Sequence, residues 1–261
     1  MTEDKISTDI EAQSIFSSVQ IKYMRHIVQA QVIILFLYGI SRPSSSINFL
    51  WKLDLIQSLS AILSRSNIPL FSLVAAAIML IAAAVFGRAF CGWICPIGFI
   101  QDIISFRKFR NRLPVEFRLI KYIVLVGGFF TSILSGWTFL SWFSPLPLLT
   151  QALSPFFGRV YFIHSGIVIF IFSVFFTILS EKRAWCRYIC PLGALLSLPA
   201  TYKFIKIRLD KNKCIKCKKC DDSCTMGVID ITNQPGSRWE TECILCMACR
   251  DTCPVNAISL N

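Results

Sequence analysis

From Tyr122 to Gly158 the chain carries no formally charged residue, and the first half of that stretch reads YIVLVGGFFTSILSGWTFL. Three further segments are similar: 16 residues without formal charge between Arg25 and Arg42, 22 between Arg65 and Arg88, and 21 between Arg159 and Glu181. A helix needs about 20 residues to cross the hydrocarbon core, and backbone groups inside lipid must be paired within their own segment. The pattern therefore predicts four transmembrane helices. The first is short and contains Gln29 and Gln31, with Lys22 and Arg25 placed to snorkel at its start. Composition agrees: 54% of residues are hydrophobic, 16% are charged and the mean hydropathy is +0.60, far from an ordinary soluble domain.

A net charge of +12 would suit a nucleic-acid partner, but the basic residues flank apolar segments, where they read as topology signals. The loop from Arg88 to Lys121 holds seven of them (Arg88, Arg107, Lys108, Arg110, Arg112, Arg118 and Lys121), the loop before span two holds Arg42, Lys52 and Arg65, and the loop before span four holds only Arg159. The central loop is thus expected on the cytoplasmic side of the inner membrane, and with four spans so are both termini. Trp51, Trp137 and Trp142 then fall at the outer boundary and Trp93 and Trp185 at the inner one. The stretch INFLWKLDLIQSLSAIL, within the first outer loop, reads either as a helix on the membrane surface or as a buried loop helix. The first 20 residues are polar and show no cleavable signal pattern. Three regions follow: an N-terminal tail over 1–24, a four-helix membrane domain over 25–200, and a cysteine-rich segment over 205–261.

The membrane domain contains a repeat. RAFCGWICPIG (88–98) and RAWCRYICPLG (183–193) agree at seven of eleven positions and lie 95 residues apart. Each follows an apolar span, so the repeated unit is a helical hairpin ending in Cys-x3-Cys-Pro. Two such hairpins packed as parallel repeats bring Cys91, Cys95, Cys186 and Cys190 together at the inner surface. Positions i and i+4 share a helix face, and proline disfavours helical geometry at the residue before it. Four converging sulfurs suit an iron–sulfur cluster, a soft metal ion such as copper, or redox-active thiols, and these uses stay open. Arg88 and Arg183, three residues ahead of the first thiols, are expected to lower their pKa.

The tail carries the sharpest motif. CIKCKKCDDSC supplies Cys214, Cys217, Cys220 and Cys224, and CILCMACRDTC supplies Cys243, Cys246, Cys249 and Cys253. Both have the spacing C-x2-C-x2-C-x3-C at an interval of 29 residues, the pattern of a bacterial-type ferredoxin with two [4Fe–4S] clusters. In that pattern the fourth cysteine of each run serves the other cluster. Cys214, Cys217, Cys220 and Cys253 are thus assigned to one cluster, and Cys243, Cys246, Cys249 and Cys224 to the second. A third cysteine two residues after each pair argues against zinc. Thr225 stands where a proline often follows the fourth cysteine, whereas Pro254 keeps it in the second run. Ile205–Leu209, Val228–Ile231 and Ala257–Leu260 read as small flanking strands. The expected fold is a membrane all-α domain of four transmembrane helices, built as two repeated hairpins, with a small C-terminal α+β two-cluster ferredoxin-like domain.

The spans, CGWICP and CRYICP, and the eight-cysteine tail together resemble the NapH/MauN family of ferredoxin-type membrane proteins, from about residue 25 onward; the same core resembles part of the NosR and CcoG proteins. The resemblance implies quinol oxidation at the membrane and electron delivery to a partner reductase through another ferredoxin-type subunit. Two other functions are compatible with the residues: a metal-handling reductase or assembly factor using the Cys-x3-Cys-Pro thiols, and a docking subunit without its own quinone site. His26 and His164 lie at opposite ends of the spans, so a b-type haem is not expected. Each reads as an interfacial polar residue or as a donor to a quinone carbonyl. Asp102 reads as a solvated helix residue or a proton acceptor. Gly127 and Gly128 read as close helix contacts.

Overall fold

The computed structural model describes residues 21, 23–38, 54–56, 58–59, 70–104, 114–135, 139–153, 163–228 and 240–260. Helix α1 covers 23–38. The first hairpin repeat continues with α2 (Leu70–Phe86), α3 (Ala89–Trp93) and α4 (Pro96–Ile104). A 3-10 turn at Val115–Leu119 leads into α5 (Ile120–Ser135). After a 3-10 turn at Phe139–Phe143 comes α6 (Pro145–Leu153), and the second repeat follows as α7 (Ile163–Leu179), α8 (Ala184–Tyr188) and α9 (Pro191–Ser197). The tail is built from β1 (Ile207–Leu209), α10 (Lys219–Ser223), α11 (Ala248–Asp251) and β2 (Ile258–Leu260).

Among the described residues one helical stretch, Glu116–Ser135, is long and apolar enough to cross a membrane. α2 and α7 are equally apolar but 17 residues long. All three helices, and α1, turn large apolar side chains outward: Ile34 and Leu35 on α1, Ile78 and Ile81 on α2, Ile123 and Val126 on α5, Val168 and Ile171 on α7 are each at least 60% exposed. Such a surface is far more apolar than a soluble monomer presents.

The interior is filled from the loops as well as the helices. α6 buries seven of its nine residues, although its sequence reads as part of an outer loop. Gly128 on α5 makes room for the 3-10 turn before α6: a Cβ there would collide with Leu140, while Gly127 faces open space. At 54–56 and 58 the residues are buried, with Leu55 and Ile56 at 1% and 0% exposure, and Leu59 is half-buried, so here the stretch is a buried segment rather than a surface helix. Its Asp54 carboxylate accepts a hydrogen bond from Ser144 Oγ at 2.5 Å. Trp185 is 1% exposed and stacks on Phe143 with ring centroids 6.2 Å apart; it is a core residue, not a member of an interfacial belt. Trp51 and Trp137 lie outside the described residues.

In the tail β1 and β2 pair antiparallel, Ile207 opposite Leu260 and Leu209 opposite Ile258. The third expected strand runs into residues outside those described. A small core of Cys220, Cys249 and Ile258 lies beneath this ribbon.

Candidate iron–sulfur sites

The two Cys-x3-Cys-Pro motifs fold alike. In each, a five-residue helix carries the first cysteine and ends in a π-type turn: Cys95 N–H bonds Phe90 O at 3.0 Å and Cys190 N–H bonds Trp185 O at 2.9 Å, five residues back. The second cysteine stands in the break, and its proline opens the next helix, where a missing N–H costs nothing. All four cysteines are buried, at 3–6% exposure, and Cys95, Cys186, Cys190 and Cys91 act on one another electrostatically. The folded chain has thus brought the quartet together.

The arginine that opens each motif reaches across to the other. Arg88 Nη2 donates to Cys186 O at 3.3 Å, and Arg183 Nη1 donates to Cys91 O at 2.9 Å. The glycine that closes each motif lets this happen. A Cβ on Gly193 would collide with the Arg88 guanidinium, and one on Gly98 would press Cys91 O at 2.8 Å and Arg183 Nη1 at 3.4 Å. Arg, Cys, Cys, Pro and Gly therefore form one reciprocal unit. The arginines do not make the Cys186 thiol acidic. Burial pushes Cys95, Cys186 and Cys190 upward, Cys186 to about 11, and the guanidiniums near Cys186 only partly oppose it.

The two arginines differ in their counter-charges. Arg183 is paired by both carboxylate oxygens of Asp102, with Nε to Oδ1 at 2.6 Å, and Arg25 approaches the same carboxylate at 3.4 Å. Asp102 is thus an anchor for the motif and not a solvated helix residue. Arg88 lies 3.7 Å from Glu242, a fully buried tail residue that also pairs with Lys121 and lies 3.7 Å from Arg118. Those three cations are 0–1% exposed, so they hold the tail. Sequence reasoning missed Glu242 entirely. The one available signal was an acid directly before Cys243, where the first run has Lys213.

The tail repeat is equally regular in backbone. Lys216 and Lys218 in the first run and Leu245 and Met247 in the second all adopt positive φ, between 51° and 60°. Gly227 and Asn256 do so at matched positions after the fourth cysteines. Non-glycine residues in this region cost about 1–3 kcal/mol each and persist where the surroundings over-determine them. The fourth cysteines also match: Val228 N–H points to Cys224 Sγ at 3.4 Å and Ala257 N–H to Cys253 Sγ at 3.3 Å. Cys249 lies among Cys246, Cys224 and Cys243, whereas Cys220 lies near Cys253 and Cys217. The fourth cysteine of each run therefore sits with the other run. Burial pushes Cys243 up to about 11 and raises Cys249 and Cys220. Loading metal on such thiols must release protons.

The second run is seated on the first Cys-x3-Cys-Pro motif. Ile244 fills the space over Gly92, where a Cβ would collide with Ile244 O, and Trp93 Nε1 donates to Leu245 O at 3.1 Å. Arg118 Nη2 donates to Met226 O at 3.0 Å and to Gly227 O at 2.7 Å. Arg183 acts on both Cys186 and Cys246. Among the described residues no three His, Cys, Asp or Glu side chains converge as one metal ion would require. An iron–sulfur cube presents four separate corners, so its thiolates need not meet at a point, and an all-cysteine donor set with inward N–H groups fits it. His26 makes an edge contact with Phe99 at 6.1 Å; the His164 side chain lies outside the described residues.

A family described as "4Fe-4S binding domain" matches twice, over 68–114 and 162–211, and one described as "4Fe-4S dicluster domain" matches 213–258. The double match coincides with the hairpin repeat. An uncharacterized protein of Methanocaldococcus jannaschii is 31% identical over 167 residues, 58% of this chain and 56% of its own length. The ferredoxin-type protein NapH of Escherichia coli is 29% identical over 176 residues, covering 66% and 59%. The methylamine utilization ferredoxin-type protein MauN of Methylorubrum extorquens is 26% identical over 155 residues, covering 58% and 52%. The matches thus span little more than half the length of these relatives. No solved structure matches the chain. Cysteine runs, hairpin repeat and relatives agree: the chain carries 4Fe-4S binding and dicluster domains and is similar to ferredoxin-type proteins of the NapH/MauN kind.

Proposed function

We propose that this chain is a membrane-bound electron-transfer protein that takes electrons from quinol in its helical part and passes them to a partner reductase. α1, α2, α5 and α7 are the four spans of the inner membrane, with both termini cytoplasmic; their outward apolar side chains support this. Cys214, Cys217, Cys220 and Cys253 ligate one [4Fe–4S] cluster, and Cys243, Cys246, Cys249 and Cys224 ligate the other. Cys91, Cys95, Cys186 and Cys190 hold a third, iron–sulfur centre closest to the bilayer.

The observation that carries this reading is the seating of the second cysteine run on the Cys-x3-Cys-Pro motif, through Ile244 on Gly92 and Trp93 Nε1 on Leu245 O. On this reading three sulfur sites stand in series, from bilayer to exposed tail. Iron–sulfur clusters supply single-electron steps, which suits division of the two electrons that quinol yields with its two protons. The chain's own part is to hold the sites in line, keep water from the inner two, and balance their negative charge with Arg88 and Arg183.

The test uses anaerobic protein in lipid nanodiscs. Added quinol should bleach the cluster absorbance and raise an EPR signal of reduced clusters. Cys91→Ser with Cys186→Ser should abolish the quinol-driven change while dithionite still reduces the tail. Clusters that dithionite reduces but quinol leaves untouched in the unmutated protein would overturn the reading.

A further inference from the structure

The tail contains its own comparison, because its two runs share a backbone but not a neighbourhood. At an interval of 29 residues Ile215 matches Ile244, Lys216 matches Leu245, Lys218 matches Met247 and Lys219 matches Ala248. In the second run Ile244 and Leu245 make the contact with the membrane part. Ile244, Leu245 and Met247 are 2%, 5% and 7% exposed, with Ile244 capping Gly92. In the first run the same positions face outward. Ile215 is 61% exposed, Lys216, Lys218 and Lys219 are exposed, and so are Lys211 and Lys213 just before them. Of the twelve cysteines only Cys217, inside this loop, is exposed.

A loop that forms an interface on one side of the tail thus recurs on the other with its apolar centre kept and its rim changed to ammonium groups. From Lys206 to Asp222 there are seven basic residues and three acidic ones, whereas the matching stretch from Pro235 to Asp251 holds two basic residues and three acidic ones. An apolar centre inside a charged rim has the anatomy of a transient protein interface. We propose that the Cys214–Cys220 loop, centred on Ile215 and rimmed by Lys211, Lys213, Lys216, Lys218 and Lys219, is the docking surface for a soluble electron carrier with an acidic face. The proposal rests on the ligation assigned above, which puts the outermost cluster behind this loop. Opposite charge steers such a carrier to the one cysteine open to solvent. A bilayer laid on the same lysines would seal that outlet, which favours a protein partner over anionic lipid.

The experiment is stopped-flow electron exchange between the full chain, in nanodiscs of zwitterionic lipid, and a reduced acidic bacterial ferredoxin. The second-order rate of the unmutated chain should fall steeply with added salt. Lys211→Glu with Lys216→Glu and Lys219→Glu should slow it about tenfold or more and abolish the salt dependence. Photoreduction by neutral deazariboflavin, and iron content, should stay as in the unmutated chain. The corresponding triple alanine variant, which leaves no new charge in the loop, should slow exchange several-fold. An unchanged ferredoxin rate in either variant with iron retained would overturn the proposal. So would a charge effect seen only in nanodiscs containing phosphatidylglycerol, which would assign the patch to lipid. Failure of deazariboflavin to reduce the unmutated chain is a different result: it removes the cluster assignment, and the docking site with it.

Discussion

Replacing Glu242 with glutamine changes the shape of the interface between tail and helices very little and removes the one carboxylate shared by Arg88, Arg118 and Lys121. All four groups are 0–1% exposed, so water does not screen the loss. Breaking a buried pair by removing one partner costs about 3–5 kcal/mol. The glutamine carbonyl can still accept from Lys121, which places the expected cost near the lower end, about 3 kcal/mol. For a chain of this size that corresponds to a fall of about 6–12 °C in the unfolding midpoint. The assay is anaerobic heating in detergent, following cluster absorbance together with far-UV circular dichroism. Absorbance should be lost first, because Glu242 ties the tail to the helices. Adding Lys121→Met should restore about half of the loss or more, since one of three uncompensated cations is then gone. A midpoint within about 2 °C of the unmutated chain, roughly the scatter of neutral surface changes, would refute the reasoning. So would a second substitution that adds its own loss instead of relieving the first.

Other outcomes follow from the same geometry. Gly193→Ala forces the Arg88 guanidinium off Cys186 O and should destabilise the protein by about 1–3 kcal/mol, as overpacking does. Gly98→Ala presses its Cβ to 2.8 Å of Cys91 O, a backbone atom that cannot swing aside as a side chain can, and should cost at least as much; thermal midpoints of the two variants check this. Cys224→Ser should disturb the same EPR signal as Cys246→Ser, whereas Cys253→Ser should disturb the signal lost with Cys217→Ser. Pairing of Cys224 with Cys217 would contradict the crossed arrangement. In chelator-stripped, folded protein the Cys186 thiol, raised by burial to about 11, is neutral at pH 7–9. Its alkylation by iodoacetamide should rise about tenfold per pH unit up to that value, because only the thiolate reacts; mass spectrometry of the labelled peptide measures it.

The sequence was most informative where chemistry imposes a fixed local spacing. The eight tail cysteines, their two runs and the twin motifs at Cys91–Pro96 and Cys186–Pro191 can be read directly, because metal ligation and the proline break act over a few residues. The two short strands at 207–209 and 258–260 were also visible as apolar runs. What was not legible depends on partners far apart in the chain. Asp102 looks like a solvated helix residue until Arg183, 81 residues away, is seen folded onto it. Arg88, Arg118 and Lys121 look like topology signals because positive charge beside a span has that meaning by default; their shared partner Glu242 comes from the far end of the chain. Gly98 and Gly193 have no visible purpose until the arginine of the opposite repeat passes over them. The buried α6 was not legible, because an uncharged loop and a buried one have the same composition.

The central claim is that sulfur sites in series carry electrons through this chain. Its most direct test is iron and sulfide quantification with Mössbauer and EPR spectroscopy on anaerobically isolated protein, before and after replacing Cys91, Cys95, Cys186 and Cys190 with serine. The account predicts two spin-coupled [4Fe–4S] clusters that survive the replacement, and an additional iron–sulfur component that disappears with it. Zinc in place of iron, or no reducible iron–sulfur signal in the unmutated chain, would contradict it.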